Sequence, residues 1–246
     1  MSVMDFDSAK ILAQSEIPSN ENKSINTYNE RSQHRTLKFL FEQDSAFHEV
    51  KVGPYIADVC KGRNIFEIQT AGFGALKNKI KYFIEDYNVT VVYPVPTIKT
   101  IMWTDTETGE ITEGRRFSMP RAKYKLLKEL IYIVELLEYD NLSILLLETE
   151  TYEYRMLDGR GTEGKIKATK VDTVPVRVLN TISVKNIDDI IGFLPFDKGI
   201  KYKRADIQKA LQLKGRNLSA AIKTLLMLDI LTKCKTGRDV FYEIAK

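Results

Sequence analysis

Between Ala57 and Thr70 the chain reads Ala-Asp-Val-Cys-Lys-Gly-Arg-Asn-Ile-Phe-Glu-Ile-Gln-Thr, and this stretch narrows the possible folds more than any other. Apolar and polar residues alternate on both sides of a Lys-Gly-Arg-Asn turn, the pattern of two short strands joined as a hairpin. Ala57 and Val59 share one side of the first strand and Asp58 the other, while Phe66 and Ile68 oppose Glu67 and Gln69. Two carboxylates and an amide are therefore expected on one face. A hard divalent cation needs such a pair, because Mg²⁺ takes oxygen ligands and completes its octahedron with water and phosphate. A solvated sheet face carries the same residues, so the hairpin alone leaves both readings open.

The flanking pattern supplies context. A helix is expected from about Tyr28 to Glu42, with Leu37, Leu40 and Phe41 on one stripe and Glu30 one turn from His34. A strand from His48 to Gly53 leads into the hairpin. After a flexible break at Ala71-Gly72-Phe73-Gly74, a helix from about Ala75 to Asp86 buries Leu76, Ile80, Phe83 and Ile84. The β-branched run Val89 to Val95 reads as an interior strand ended by Pro94 and Pro96. The order is helix, three strands, helix, strand.

That order, with Asp58 opening the second strand and Glu67-x-Gln69 closing the third, resembles the core of the PD-(D/E)XK nuclease superfamily, the restriction-endonuclease-like fold. The resemblance covers roughly residues 28 to 96. It implies an α/β fold with an αβββαβ core and a mixed sheet, and metal-dependent hydrolysis of phosphodiester bonds in DNA. Asp58 and Glu67 match the motif acids and would bind Mg²⁺, with Mn²⁺ as an alternative ion. Glu30 matches the acidic residue that some members carry on the first helix. Gln69 stands where the superfamily most often has Lys. Lys77, Lys79 and Lys81 on the next helix could restore the missing charge, and Lys79 is the choice among them.

Downstream, Met102 to Ile111 looks like a hairpin turning at Gly109, followed by the cations Arg115, Arg116, Arg121 and Lys123, which line a cleft or a solvated connection. A helix from about Arg121 to Leu137 and a strand at Leu142 to Leu147 extend the same sheet and cover it, residues 158 to 170 read as a loop, and Val174 to Val184 reads as another strand. Ile187 to Phe196 reads as a linker closed by Pro195. Trp103, Tyr152 and Tyr154 read as packing residues.

The last fifth of the chain differs in charge. From Lys198 to Lys246 there are twelve Lys and Arg against four acids, a net +8, which leaves 25 against 29 and a net −4 elsewhere. A local excess of this kind suits a polyanion. Arg204 to Leu213 and Leu218 to Leu228 read as helices around a Gly215-Arg216-Asn217 turn, followed by a hairpin over Ile230 to Ile244, and the module resembles a winged helix-turn-helix. Arg216, Asn217, Ser219 and Lys223 would then face the nucleic acid, with Lys233, Lys235 and Arg238 on the wing.

Three parts are expected: a polar arm over 1–27, a nuclease-like domain over 28–196 and a winged helix over 199–246. No stretch approaches the roughly 20 apolar residues of a membrane span, and the start lacks a basic and apolar leader. Cys60 and Cys234 lack metal-ligand spacing and read as reduced thiols. The expectation is a cytoplasmic DNA-directed nuclease, with RNA as substrate and a homodimer left open. The rival class is a nuclease-like fold without catalysis, serving as a DNA-binding regulator or assembly subunit.

Overall fold

The computed structural model describes residues 5–15, 31–160 and 167–245. Its elements in chain order are α1 (Phe6–Ser15), α2 (Arg31–Phe41), β1 (His48–Val52), β2 (Tyr55–Lys61), β3 (Asn64–Ile68), α3 (Phe73–Phe83), β4 (Asn88–Thr104) and β5 (Ile111–Ser118). They continue with α4 (Leu126–Leu130), β6 (Leu142–Met156), β7 (Thr169–Val184), α5 (Ile187–Phe193), α6 (Arg204–Leu211), α7 (Gly215–Met227), β8 (Leu231–Thr236) and β9 (Asp239–Ile244). The fold is α/β with a mixed, open sheet. Its strands pair in the order β1-β2-β3-β4-β6-β7, β5 pairs with β4, and β8 and β9 form a separate hairpin. Among the described residues no helix is long and apolar enough to cross a membrane.

Two compact units emerge, neither of them continuous in sequence. The first comprises residues 1–61, 96–120 and 147–181. Here β1 and β2 pair antiparallel, with His48 opposite Val59 and Val52 opposite Tyr55. Leu37 (fully buried), Leu40 and Phe41 of α2 lie in the core, as their spacing predicts. The expected polar arm is instead helical over Phe6–Ser15. Asp5 caps it, its carboxylate accepting the Ser8 N–H at 3.1 Å, and Ala9 and Ala13, one turn apart, are its buried residues. Two small residues make a narrow seam that a search for large apolar side chains overlooks. The rest of the arm, and Glu30, lie outside the described residues.

The second unit comprises residues 62–95, 121–146 and 182–246. Here β3 and β4 run parallel, Asn64 to Ile68 against Asn88 to Val92, joined through α3. Leu76, Ile80, Phe83 and Ile84 are buried as expected. The break expected at Ala71–Gly74 is shorter: Phe73 and Gly74 belong to α3, and Phe73 is fully buried against the Tyr93 ring at 5.5 Å.

Pro94 and Pro96 do not end β4, which runs on to Thr104. Its parallel register with β3 reaches Val92 and its antiparallel register with β5 begins at Ile98, so both prolines fall in the gap between these two ladders. The expected hairpin at Gly109 is present, with Thr104 opposite Ile111. The single helix expected over 121–137 is three pieces, a 3-10 turn at Ala122–Lys125, α4, and a second 3-10 turn at Val134–Leu136. Ile131-Tyr132-Ile133-Val134, β-branched and aromatic, falls where the α-helix stops.

The strands β6 and β7 are longer than their apolar runs suggest, because buried Thr149, Thr151 and Glu153 continue β6 past Leu147. Residues 187–193 form a helix rather than a linker, opened by a capping box in which Asn186 accepts the Asp189 N–H and Asp189 accepts the Asn186 N–H. At the C-terminal end the turn lies at Gln212 to Lys214, not at Gly215 to Asn217. Gln212 takes the left-handed conformation at φ 53°, Lys214 is the N-cap of α7, and Asn217 sits in the first helical turn instead of capping it.

Candidate functional site

The alternation of β3 places Ile65 and Glu67 on one face, and both are buried, Glu67 with 2% of its surface exposed. A lone carboxylate at that depth is costly. Lys79 answers it from α3, its Nζ 2.5 Å from Glu67 Oε2 and 5.7 Å from the Phe83 ring centroid. Three residues before Phe83 in sequence comes the apolar Ile80, so the lysine stem runs beside a hydrophobic stripe while its ammonium reaches the strand. The polar sheet face expected here is therefore not solvated at Glu67. Of the three lysines on this helix, Lys79 is the one brought to Glu67. Lys77 pairs with Glu135, and Lys81 is exposed.

Gln69 follows directly after β3. Its N–H donates to Val92 O at 2.9 Å and its side-chain amide donates to Ala71 O, so it folds back over the start of α3. Gly72 caps that helix at φ 78° without a side-chain cap of its own. The cap comes from 57 residues downstream: Glu129 Oε2 accepts the Gly72 N–H at 2.9 Å and the Phe73 N–H at 3.3 Å, and Lys128 holds Glu129 Oε1 at 3.0 Å. A carboxylate at a helix N-terminus meets both the free N–H groups and the positive end of the dipole. Burial, with the Glu129 charge adding to it, pushes the Tyr93 phenol well above its ordinary range. Glu129 carries no local sequence motif, only a distant partner.

In the first unit Asp58 is half-buried on β2 between Ala57 and Val59, both fully buried. The β1–β2 register sets Glu49 across from it, and Glu49 has a left-handed φ of 52°. That conformation is costly for a residue with a side chain. Lys38 of α2 holds Glu49 Oε1 at 2.7 Å, and its hydrogen bond and charge keep the Glu49 carboxyl below the usual carboxylate range. Nothing in the sequence marks Glu49. Among the described residues no group of three or more His, Cys, Asp or Glu side chains converges as a metal-binding group.

The cations expected along a cleft have separate employment. Arg121 donates through Nη1 to Lys209 O at 2.6 Å and Ala210 O at 2.8 Å, tying off the end of α6. Lys123 lies over the Tyr124 ring and Arg115 over the Phe117 ring. Arg116 pairs with Glu150 at 2.9 Å.

On α7, Arg216, Asn217, Ser219 and Lys223 are all exposed, and Leu218, Ala221, Ile222 and Leu225 are buried. Ser219 Oγ accepts a hydrogen bond from Arg204 Nη2 at 2.8 Å, which adds an arginine to that face. The buried side includes Thr224, whose hydroxyl donates to Leu127 O at 2.8 Å and fixes α7 to α4. On the hairpin, Lys233, Lys235 and Arg238 are exposed.

The profile of a family described as Domain of unknown function (DUF8091) matches residues 31–185, more than half of the chain. The chain belongs to that family. The matched span runs from the first residue of α2 to the residue before the Asn186 cap, so it takes in Asp58, Glu67, Gln69, Lys79 and Glu129 and leaves out α5, α6, α7 and the β8–β9 hairpin. A protein of Treponema pallidum (strain Nichols), described as an uncharacterized protein, is 27% identical over 164 residues. The alignment covers 66% of this chain and 65% of that protein, so the chain spans just under two thirds of its relative's length. No solved structure matches.

Proposed function

We propose that this chain is a metal-dependent nuclease that hydrolyses phosphodiester bonds in DNA, with its C-terminal helices and hairpin serving as a winged helix that holds the substrate. The Lys79–Glu67 pair carries the reading. A nuclease of the resembled type needs a cation at the acid of the third strand, Gln69 cannot supply one, and α3 delivers an ammonium to within 2.5 Å. The succession α2, β1, β2, β3, α3, β4, with β3 and β4 parallel about α3, supports the same reading.

The donor chemistry fits Mg²⁺ or Mn²⁺ in kind, since Glu67 and Asp58 are hard oxygen donors on strands and such ions retain much of their water. A bound ion would polarise the phosphodiester. Lys79 fixes the orientation of Glu67 and places positive charge where negative charge develops during phosphoryl displacement. Gln69 lines the start of α3 and positions the loop that leads to it. Plasmid nicking in Mg²⁺ tests the proposal: wild type should nick and Asp58→Ala should not. Equal nicking by both proteins, or none by wild type across duplex DNA and RNA, would refute it.

One observation favours the rival class. Glu67 is already buried and ion-paired, and the Gln69 amide is engaged with Ala71 O. A nuclease-like fold that only binds DNA would need neither to be available. It would bind without metal, and Asp58→Ala would leave its DNA affinity unchanged.

A further inference from the structure

The first unit holds a second charged assembly, distant in sequence from the Glu67–Lys79 pair. Glu150 of β6 has only 11% of its side chain exposed and is gripped by two arginines, Arg116 of β5 through Nη2 at 2.9 Å and Arg177 of β7 through Nε at 2.8 Å. Burial opposes ionisation of Glu150, and the two guanidiniums overcome it, holding the carboxyl below its ordinary value. Neutralising one carboxylate takes one arginine. Within this trio the second leaves a net positive charge, and 57% of the Arg116 side chain and 62% of the Arg177 side chain remain in solvent. Each arginine has five N–H donors in a planar fork. With one nitrogen turned to Glu150, each still presents an outer edge of the kind that grips a phosphate.

The backbone is shaped around this pair. The β4–β5 register shifts between Thr100, opposite Arg116, and Met102, opposite Glu113, so Gly114 and Arg115 form a bulge just before Arg116. Bulges re-aim side chains. This one is held by the Trp103 indole lying against Gly114, so closely that a Cβ there would come within 2.8 Å of Trp103 Cδ1. An exposed ion pair is worth little in stability, so a bulge, a close-packed indole and a buried carboxylate are more than a surface salt bridge requires.

We infer that Arg116 and Arg177, held together by Glu150, form a clamp for the backbone phosphates of the nucleic acid. The inference rests on the nuclease reading for the identity of its polyanion. The charge complementarity stands on the geometry alone. Arg116 and Arg177 make the contact, and Glu150 is a positioning residue that fixes their spacing.

The test is fluorescence anisotropy of full-length protein with a labelled 30-base-pair duplex in EDTA, where cleavage is silent. Arg116→Ala/Arg177→Ala should weaken binding at least tenfold and flatten the slope of log K against log salt by about 1.8, two phosphate contacts' worth. Lys51→Ala, an exposed cation of β1 in the same unit, should change neither beyond twofold. Glu150→Gln should weaken binding while Glu150→Asp restores part of it. A double variant that binds as well as wild type, or loses no more than Lys51→Ala, overturns the clamp, as does a wild type that binds no duplex. Nicking separates the two claims. A clamp variant that binds normally while wild type nicks refutes the clamp alone. Weakened binding in EDTA, with nicking unaffected by Asp58→Ala, refutes the nuclease and keeps the clamp.

Discussion

The Lys79 ammonium lies 2.5 Å from the Glu67 carboxylate, and twelve residues separate the two in sequence. Glu67 has 3% of its side chain in solvent and Lys79 has 19%, so each helps to compensate the other for leaving water. Removing one partner of a buried pair strands the other charge and costs about 3 kcal/mol or more. Lys79→Met should therefore lower the urea midpoint, with a fall in Tm of roughly 6 to 12 °C for a chain of this size. Glu67→Met/Lys79→Met should recover most of the loss, since neither charge is then orphaned. A single variant as stable as wild type would show that the pair does not compensate burial in solution.

Asp172 presents the opposite case, a buried carboxyl with no ion pair among the described residues. It is 2% exposed, Oδ1 accepts the Thr173 N–H at 2.7 Å, and Oδ2 has no partner. Burial pushes its pKa above the ordinary 3.8, against weaker opposing pulls from the Ser32 side chain, the Thr173 N–H and the Lys170 charge. A carboxyl raised in the folded state contributes its stability in full below the unfolded pKa and loses it as pH rises through the folded one. Asp172→Asn should remove that loss, so the stability difference between variant and wild type should grow in the variant's favour from pH 3 towards pH 7, to about 1 kcal/mol. Urea midpoints across that range measure it, and a difference independent of pH would contradict the assignment.

Gly114 can be tested through its neighbour. Trp103 is the chain's one tryptophan, and a methyl group at position 114 would collide with its indole. Overpacking of this kind costs about 1 to 3 kcal/mol. Gly114→Ala should lower stability by that amount and shift the tryptophan emission as the ring is displaced. An unchanged spectrum with unchanged stability would mean that the bulge relaxes freely.

What the sequence made legible was whatever rests on local periodicity. The Asp58-to-Gln69 hairpin and the α3 stripe follow from alternation and helical spacing, and Lys79 could be chosen because only a few side chains on the next helix could replace the lysine absent at Gln69. Signals that were present but subtler concern caps and small residues: Asp5 to Ser8 with Ala9 and Ala13, and Asn186 to Asp189. Other features had no local trace. Glu129 caps a helix 57 residues away, the prolines of β4 fall where one of its partners changes from β3 to β5, and the grouping of Arg116, Glu150 and Arg177 depends on which strands become neighbours. The burial of Glu67 has no local trace either, since alternation gives a residue's face but not what covers it.

The C-terminal hairpin carries exposed charge beside charge that is tied into the fold. Cys234 is half-buried between Lys233 and Lys235 on β8, so both lysines turn outward, and Arg238 sits in the turn beside Gly237 at φ 62°. Lys203, by contrast, is tied to Asp239 at 3.1 Å and lies over the Phe241 ring at 5.4 Å. If the hairpin is a wing against phosphates, Lys235→Glu/Arg238→Glu should weaken duplex binding by more than tenfold and flatten its salt slope by about 1.8, with little effect on Tm because neither residue packs. Arg121→Ala should do the reverse. Its guanidinium closes the end of α6 through Lys209 O and Ala210 O, so its loss should cost about 1 to 2 kcal/mol of stability and leave the salt slope unchanged. Anisotropy titrations at several salt concentrations, paired with thermal melts, measure both. A charge reversal that leaves affinity and slope intact would remove the wing from the binding surface and leave the hairpin a packing element of the second unit.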